Sequence, residues 1–291
     1  MKTILVISIA FAGIGCLAIG ANTNNVAAGQ AVETPMETPV SGDFHKNLPK
    51  DFESPTDDAG RLLLREYGAV FVTRGGATPP KKVVFVDESD VVKFQSTLDT
   101  SKATIGAHEI ELQTPAMNAL KKAVAEAKAA GLTIAPNAKT AARRKYEDTV
   151  EFWNDRLTRG FARWVPTKVS TAERDRILKL SPYKQVPEIL KLEESKIYFA
   201  KHQEKSVIYS VAPPGTSQHI SMLAVDIGKH MIPRVREILA KYGWFQTVYT
   251  DLPHFTYLGV AESELNLLGL KQKLKRADGE TVDRVYWLPA I

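Results

Sequence analysis

Cysteine is nearly absent from the chain: Cys16 is the only one in 291 residues. This composition excludes a disulfide framework and a cysteine-rich zinc site. Cys16 also lies within an apolar N-terminal stretch, so a protein cleaved after that stretch would contain no thiol nucleophile. Any metal site in the rest of the chain must therefore use histidine, aspartate and glutamate side chains.

Dense runs of arginine and lysine with interleaved aromatic residues are missing as well. Aromatic residues make up 8% of the chain, and no motif of a nucleic-acid-binding module is present. We therefore expect no nucleic-acid partner. The formal net charge of +5 is mild and suits an anionic partner, such as an acidic polymer of the cell wall or a membrane surface.

The N-terminal apolar stretch, residues 4–19, is short for a membrane span and is interrupted by glycines. Lys2 precedes it and small residues follow it, which is the layout of a secretory signal peptide. We expect residues 1–21 to be this signal and the protein to be exported, either periplasmic or associated with the cell envelope. An uncleaved anchor helix and lipid attachment at Cys16 are the alternatives, and the N-terminal segment is the expected contact with a membrane.

Composition divides the rest of the chain. Residues 22–57 are rich in Asn, Thr, Pro, Glu and Asp and show no apolar periodicity, which predicts a flexible linker. We expect folded structure to begin near Asp58, with residues 58–107 forming an N-terminal extension packed on the core. Residues 108–291 form the main domain, in which no internal repeat is visible, and we expect the protein to be a monomer.

Apolar periodicity predicts a set of helices followed by short strands. Helices are predicted at 114–130 and 140–163, and shorter ones at 59–67, 91–98, 171–180, 186–200 and 233–242. Strands are predicted at 69–73, 82–86, 223–227, 244–249 and 255–258, with a final helix or turn at 262–274. This order predicts an α+β fold, in which helices pack on a small antiparallel sheet.

Two segments, 214–226 and 251–257, carry the residues best suited to chemistry. Alternate side chains of a strand share a face, so Asp226 points away from the core, and His219 lies in the loop before its strand. His254 opens another strand, and the three side chains converge if the two strands pair. Two imidazoles and one carboxylate suit Zn²⁺, and three protein ligands leave a fourth position open, as in catalytic zinc sites.

Asp251 lies three residues before His254, where its carboxylate can reach such a site. Zinc lowers the pKa of a bound water, and a nearby carboxylate can take the proton and pass it to a leaving amine. An aspartate at such a position also often caps a turn, so a purely structural role for Asp251 is the alternative.

Both segments resemble sequence elements of the D-alanyl-D-alanine carboxypeptidases (VanY-like) and related peptidoglycan peptidases. Ser217-x-His219-x(6)-Asp226 resembles their Ser-x-His-x(6)-Asp element, and residues 251–254, Asp-Leu-Pro-His, resemble their Glu-x-Trp-His element. The resemblance covers about residues 108–260. It implies an α+β fold carrying a zinc site.

The resemblance also implies roles for single residues. His219, Asp226 and His254 would be the zinc ligands, and Asp251 would be the general base. Three positions depart from the family pattern: Met222 stands where the family usually has Gly, Pro253 where it has Trp, and Asp251 where it has Glu. The aspartate is one methylene shorter than the glutamate that it replaces.

The family further carries an arginine, in a Tyr-Arg-Ser-Tyr-like stretch, that binds the substrate carboxylate or the polarised carbonyl. The matching stretch ends at Tyr146; alignment on this tyrosine selects Arg144, with Arg143 as the neighbouring alternative. A guanidinium fork suits a carboxylate, although either arginine can be an ordinary solvated residue. Ser217 is expected either to orient the substrate site or to cap its loop.

The resemblance thus implies a zinc-dependent D-alanyl-D-alanine carboxypeptidase that hydrolyses peptidoglycan stem peptides. Asp251 and Arg144 would be catalytic, and Arg144, Arg143 and Ser217 would bind the substrate. One alternative is a zinc endopeptidase that cleaves inside the stem peptide. Two others are a catalytically inactive wall-binding protein with the same fold and a tethered interaction protein without a metal.

Overall fold

The fold is described by a computed structural model for residues 41–201, 205–249, 251–275 and 283–291. The predicted signal peptide, residues 1–21, lies outside the described residues. Among the helices of the described part of the chain, none combines the length and the hydrophobicity needed to cross a membrane.

The described residues form helices around three small sheets. The α-helices are α1 (Phe44–Asn47), α2 (Asp58–Tyr67), α3 (Glu88–Gln95), α4 (Thr114–Ala129), α5 (Tyr146–Trp164), α6 (Thr171–Leu178), α7 (Pro182–Glu194) and α8 (Pro233–Lys241). Short 3-10 helices cover Gly68–Val72, Val207–Tyr209, Gln218–Ser221 and Glu262–Leu268. The strands are β1 (Thr100–Ile105), β2 (His108–Gln113), β3 (Ala224–Asp226), β4 (Trp244–Phe245), β5 (His254–Tyr257), β6 (Leu270–Lys275) and β7 (Arg284–Pro289).

All strand pairs in these sheets are antiparallel. β1 and β2 form a hairpin, β3, β5 and β4 form a sheet in that order, and β6 pairs with β7. The predicted class, an α+β fold with helices packed on a small antiparallel sheet, is confirmed. The sequence analysis missed the β1–β2 hairpin and strands β6 and β7. The helix or turn predicted at 262–274 is a 3-10 helix over Glu262–Leu268 only, and strand β6 begins at Leu270.

The two longest predicted helices form where the apolar spacing places them. Met117 and Leu120 of α4, and Trp153 and Leu157 of α5, are fully buried in the main core. Helix α5, however, begins at Tyr146 rather than at residue 140, because the Asp148 side chain accepts a hydrogen bond from the Lys145 amide and caps the helix there. The residues before it remain a loop, which is free to reach the site described below.

Two predicted strands of the N-terminal extension are wrong. Residues 69–73 lie mostly in a buried 3-10 helix that follows α2, and residues 82–86 make only an isolated bridge, between Lys82 and Glu53. A short apolar run does not distinguish a strand from another partly buried conformation, because its periodicity is the same in both.

The linker predicted at 22–57 does not extend to Asp58. Phe44 is buried, and the Gly42 amide donates to the Asn266 carbonyl over 2.9 Å. A Cβ atom on Gly68 would lie 3.1 Å from Pro289 and 3.2 Å from Phe44, so both ends of the described chain pack against this glycine. Folded structure therefore begins before Asp58. The polar composition of residues 22–57 gave no indication that Phe44 is buried in the core.

Candidate metal centre

Strand pairing brings the predicted ligands together. Asp226, the last residue of β3, pairs directly with His254, the first residue of β5. His219 lies in the 3-10 helix that precedes β3, and this helix ends at Met222, whose φ of 57° is left-handed. Glycine adopts that region most readily, so the turn keeps a glycine-like backbone at the position where the resembled element has glycine.

Three side-chain atoms face one another in the buried space between these elements. His219 Nε2 lies 3.1 Å from His254 Nδ1, and each of these nitrogens lies 3.4 Å from Asp226 Oδ1. Both histidines are almost completely buried. The group could therefore hold a metal ion.

The outer hydrogen bonds determine which ring nitrogens carry protons. His219 Nδ1 donates to the Ala142 carbonyl over 2.9 Å, and His254 Nε2 donates to Gln218 Oε1 over 2.8 Å. Because neutral imidazole has one N–H, the two nitrogens that face each other present lone pairs. Asp226 Oδ1, also an acceptor, is buried without a hydrogen-bond partner.

Three acceptor atoms thus converge without a proton among them, an arrangement that a cation stabilises. A tetrahedral ion with bonds of about 2.0–2.1 Å holds its ligand atoms about 3.3 Å apart, which matches the separations of 3.1 to 3.4 Å. The donor set of two imidazoles and one carboxylate therefore fits a zinc-like ion in both geometry and chemistry.

The electrostatics keep this group in the protonation state that a metal requires. Desolvation, helped by the charge of Arg144, lowers the pKa of His219 to about 4, so the imidazole is neutral at neutral pH. The Arg144 guanidinium, whose Nη2 donates to Asp226 Oδ2 over 3.3 Å, favours the ionised form of that carboxyl. Neutral histidine and ionised aspartate are the forms that bind metal ions.

A cavity of about 590 Å³ opens beside the group and is lined by His219, His254, Arg144, Ser217 and Asp251, among others. Asp251 is thus in the same cavity as the histidines, as the sequence predicts. Its side chain has an exposed edge, yet protein surrounds it closely enough for desolvation to raise its pKa, against the opposing effect of His254.

Arg144 is the predicted arginine that reaches the site. Its Nη2 lies 3.3 Å from Asp226 Oδ2, and its Nη1 donates to Ser217 Oγ over 3.3 Å. Ser217 is buried, lines the cavity and orients the guanidinium.

Arg143, the predicted alternative, does not line the cavity. Its side chain pairs with Glu111 over 2.8 Å and donates to Gln95 over 2.9 Å. Adjacent residues of an extended loop point in different directions, and here only the second one faces the site. The predicted role of Arg143 in binding the substrate is therefore not supported by its position.

The C-terminal strands contribute a support that the sequence analysis missed. Arg284 of β7 is fully buried and donates to the Leu252 carbonyl over 2.9 Å and to the His230 carbonyl over 3.1 Å. It thereby fixes the loop that carries Asp251. His230 itself lies half-buried in the cavity wall.

The N-terminal extension also supports the site. Gln95 of α3 donates to the carbonyls of Arg144 and Ile220, each over 3.0 Å, and the carbonyl of Tyr67 accepts from Gln218 over 2.8 Å. Tyr67 itself lines the cavity. The segment 58–107 is therefore structurally continuous with the site and holds both of its loops.

Gln218 was missed because a neutral amide carries no obvious chemical signature. It is buried and its Oε1 accepts from His254 Nε2, Thr256 Oγ1 and Thr247 Oγ1. These bonds fix the His254 ring with Nδ1 towards the metal group.

We expect Gln218→Leu to lower the metal affinity by about 10–100-fold, the usual effect of removing the outer partner of a ligand. A competition titration with a chromophoric chelator measures this affinity. Gln185→Leu is the matched control, because Gln185 is also a buried glutamine but accepts from Trp153 Nε1. Equal affinities in the two variants would contradict the orienting role of Gln218.

No protein-family model matches the chain, and no curated protein matches it significantly. A similar solved structure is the crystal structure of a mutant of the vancomycin resistance D,D-pentapeptidase VanY in complex with Zn(II). The two chains are 17% identical over 56% of this chain and 79% of that chain, with a TM-score of 0.35. A likeness this distant carries no argument about the reaction of this protein.

Proposed function

We propose that this protein is a zinc-dependent peptidase that hydrolyses peptidoglycan stem peptides as a D-alanyl-D-alanine carboxypeptidase. The observation that carries the proposal is the convergence of two imidazole lone pairs and an unpartnered buried carboxylate oxygen beside a cavity. The same cavity holds a carboxylate, Asp251, and a guanidinium, Arg144. The stem peptide as substrate rests on the sequence resemblance of the two elements.

In this proposal His219 Nε2, His254 Nδ1 and Asp226 Oδ1 hold the ion. Zinc at such a site supplies Lewis acidity for the scissile carbonyl and lowers the pKa of water. Asp251 accepts the proton of the attacking water and delivers it to the leaving amine, so that one proton enters and leaves the carboxylate in each turnover.

Arg144 provides the positive charge that a carboxypeptidase needs for the terminal carboxylate of its substrate. The guanidinium lies beside the ligand Asp226 and faces the cavity. Its contacts to Asp226 and Ser217 are long, 3.3 Å each, so it can turn towards a substrate carboxylate and form shorter, charge-assisted bonds.

Export is part of the same proposal. A stem peptide lies outside the inner membrane, and the N-terminal segment 1–21 has the layout of a signal peptide. We propose that the mature protein is periplasmic or attached to the cell envelope and acts as a monomer.

The test uses protein that begins near residue 30, which retains the Phe44 segment, purified without chelator. We expect bound zinc and release of D-alanine from a peptide that ends in D-Ala-D-Ala. Amidation of the peptide terminus is expected to lower kcat/KM by roughly 10–100-fold, the value of a charged hydrogen bond. Arg144→Gln should lose this discrimination.

The other outcomes separate the alternatives. Cleavage that is indifferent to amidation and occurs inside the peptide identifies an endopeptidase. Zinc binding without cleavage favours an inactive wall-binding protein, an alternative that the shorter side chain of Asp251 supports. A protein without zinc contradicts the proposal.

A further inference from the structure

Helix α5 carries a large apolar side chain that the core does not bury. The apolar stripe of this helix, which includes Trp153, Leu157 and Phe161, is buried. Phe152 lies beside the stripe, with 41% of its surface exposed, and it lines the cavity of about 590 Å³ that opens beside the metal group. The surroundings of this ring are therefore those of the cavity rather than those of the core.

The ring of Phe152 contacts the guanidinium of Arg144. Cζ of the arginine lies over the ring, 5.3 Å from its centroid, which is within the distance of about 6 Å over which an aromatic ring attracts a cation. The attraction comes from the quadrupole of the ring, so it requires no hydrogen-bond acceptor. The N–H groups of the guanidinium remain available for a ligand in the cavity.

The other contacts of the Arg144 side chain are weak. Its hydrogen bonds to Ser217 Oγ and Asp226 Oδ2 are 3.3 Å long, whereas charge-assisted bonds of this kind are typically about 2.7–2.9 Å. Its Nε is buried without a hydrogen-bond partner. The contact with the Phe152 ring is therefore a substantial part of what holds the guanidinium in the cavity wall.

We propose that Phe152 is a positioning residue, which holds the Arg144 guanidinium in place to receive the terminal carboxylate of the substrate. The inference rests on the proposed function, in which Arg144 binds that carboxylate. Without the ring, the guanidinium is free to swing into solvent or to close further on Asp226. The substrate would then have to order the arginine as it binds, which weakens its affinity.

The test compares a peptide that ends in D-Ala-D-Ala with the same peptide amidated at its terminus. Phe152→Leu keeps an apolar side chain but removes the ring, and we expect it to lower the ratio of kcat/KM for the free and amidated peptides about fivefold, the factor of a partly exposed cation–π contact. The loss should appear in KM, because the carboxylate is bound alike in the ground state and the transition state. Phe152→Tyr and Phe152→Trp keep an aromatic face and should keep the ratio.

A double-mutant cycle distinguishes positioning from a general effect on the structure. In a protein that already carries Arg144→Gln, the further change Phe152→Leu should leave the ratio as it is, because the two side chains act through one contact. Zinc content should equal that of the wild-type protein in each Phe152 variant. Tyr242→Leu is the matched control: it removes a ring that lies 5.5 Å from Lys241 Nζ and outside the cavity, and it should keep the ratio.

The positioning role and the proposed reaction fail separately. A wild-type ratio in Phe152→Leu, an equal loss of kcat/KM for both peptides, or the same loss of the ratio in the Arg144→Gln protein overturns the positioning role even if D-alanine is released normally.

A wild-type protein that releases no D-alanine overturns the reaction instead. The same ratio is then measured by calorimetry, as the dissociation constants of the two uncleaved peptides. A fivefold loss of this ratio in Phe152→Leu supports the positioning role, and a wild-type protein that does not distinguish the two peptides overturns it.

Discussion

Replacement of His254 with alanine is expected to remove the bound metal and, with it, peptide hydrolysis. The change deletes one of three converging ligand atoms and leaves the lone pair of His219 and the carboxylate of Asp226 facing an empty position. Zinc content should fall from about one ion per chain to background. Hydrolysis should fall by about a thousandfold or more, because the Lewis acid supplies several kcal/mol of transition-state stabilisation.

Metal analysis of the purified variant and an assay of D-alanine release check this result. His45→Ala is the matched control, since His45 is exposed on α1 and the variant should keep both metal and activity. Retention of zinc by His254→Ala would place the ion elsewhere in the protein and contradict the proposed centre.

Asp251→Ala is expected to slow hydrolysis by about 10²–10⁴-fold, the contribution of a positioned general base, while zinc remains bound. Asp251→Asn should behave in the same way, and Asp251→Glu should retain activity, because glutamate occupies this position in the resembled family. Asp175→Ala, which removes an exposed carboxylate of α6, is the control. A variant that lacks the Asp251 carboxylate but keeps full activity would assign the residue to its turn alone.

The pH profile gives a second test of Asp251. A general base acts only when it is deprotonated, and desolvation raises the pKa of this carboxyl above its ordinary value. Activity should therefore fall as the pH drops through that raised pKa, and this acid limb should be absent from the residual activity of Asp251→Ala. The profile of kcat/KM measures the ionisation in the free enzyme.

The convergence of the three candidate ligands could be predicted from the sequence because strands impose simple geometry. Alternation along β3 directs Asp226 away from the core, and pairing with a second strand was sufficient to place it opposite His254. His219 followed from its position just before that strand. That prediction was conditional on the pairing of the two strands, and the resemblance to the family supplied the assignment of the three side chains as zinc ligands.

The outer parts of the site could not be predicted in the same way. Arg143 and Arg144 are neighbours, and only the path of the loop decides which side chain meets Asp226. Gln218 and Arg284 act through carbonyl and imidazole groups that are distant in sequence, so no local pattern indicates them. The buried 3-10 helix after α2 and the anchor at Phe44 depend on tertiary packing, which overrides local composition.

The packing around Gly68 has a topological consequence. Phe44 and Pro289 lie against the same glycine, and Gly42 bonds to the segment just before β6, so the two ends of the described chain are neighbours in space. A short connection between them would leave every strand pair intact. The β1–β2 turn at Gly106 is exposed, and the chain could be opened there instead. The arrangement of the ligand-bearing segments in space thus does not depend on their order along the chain. We expect a circular permutant that begins at residue 108 to keep the candidate metal centre.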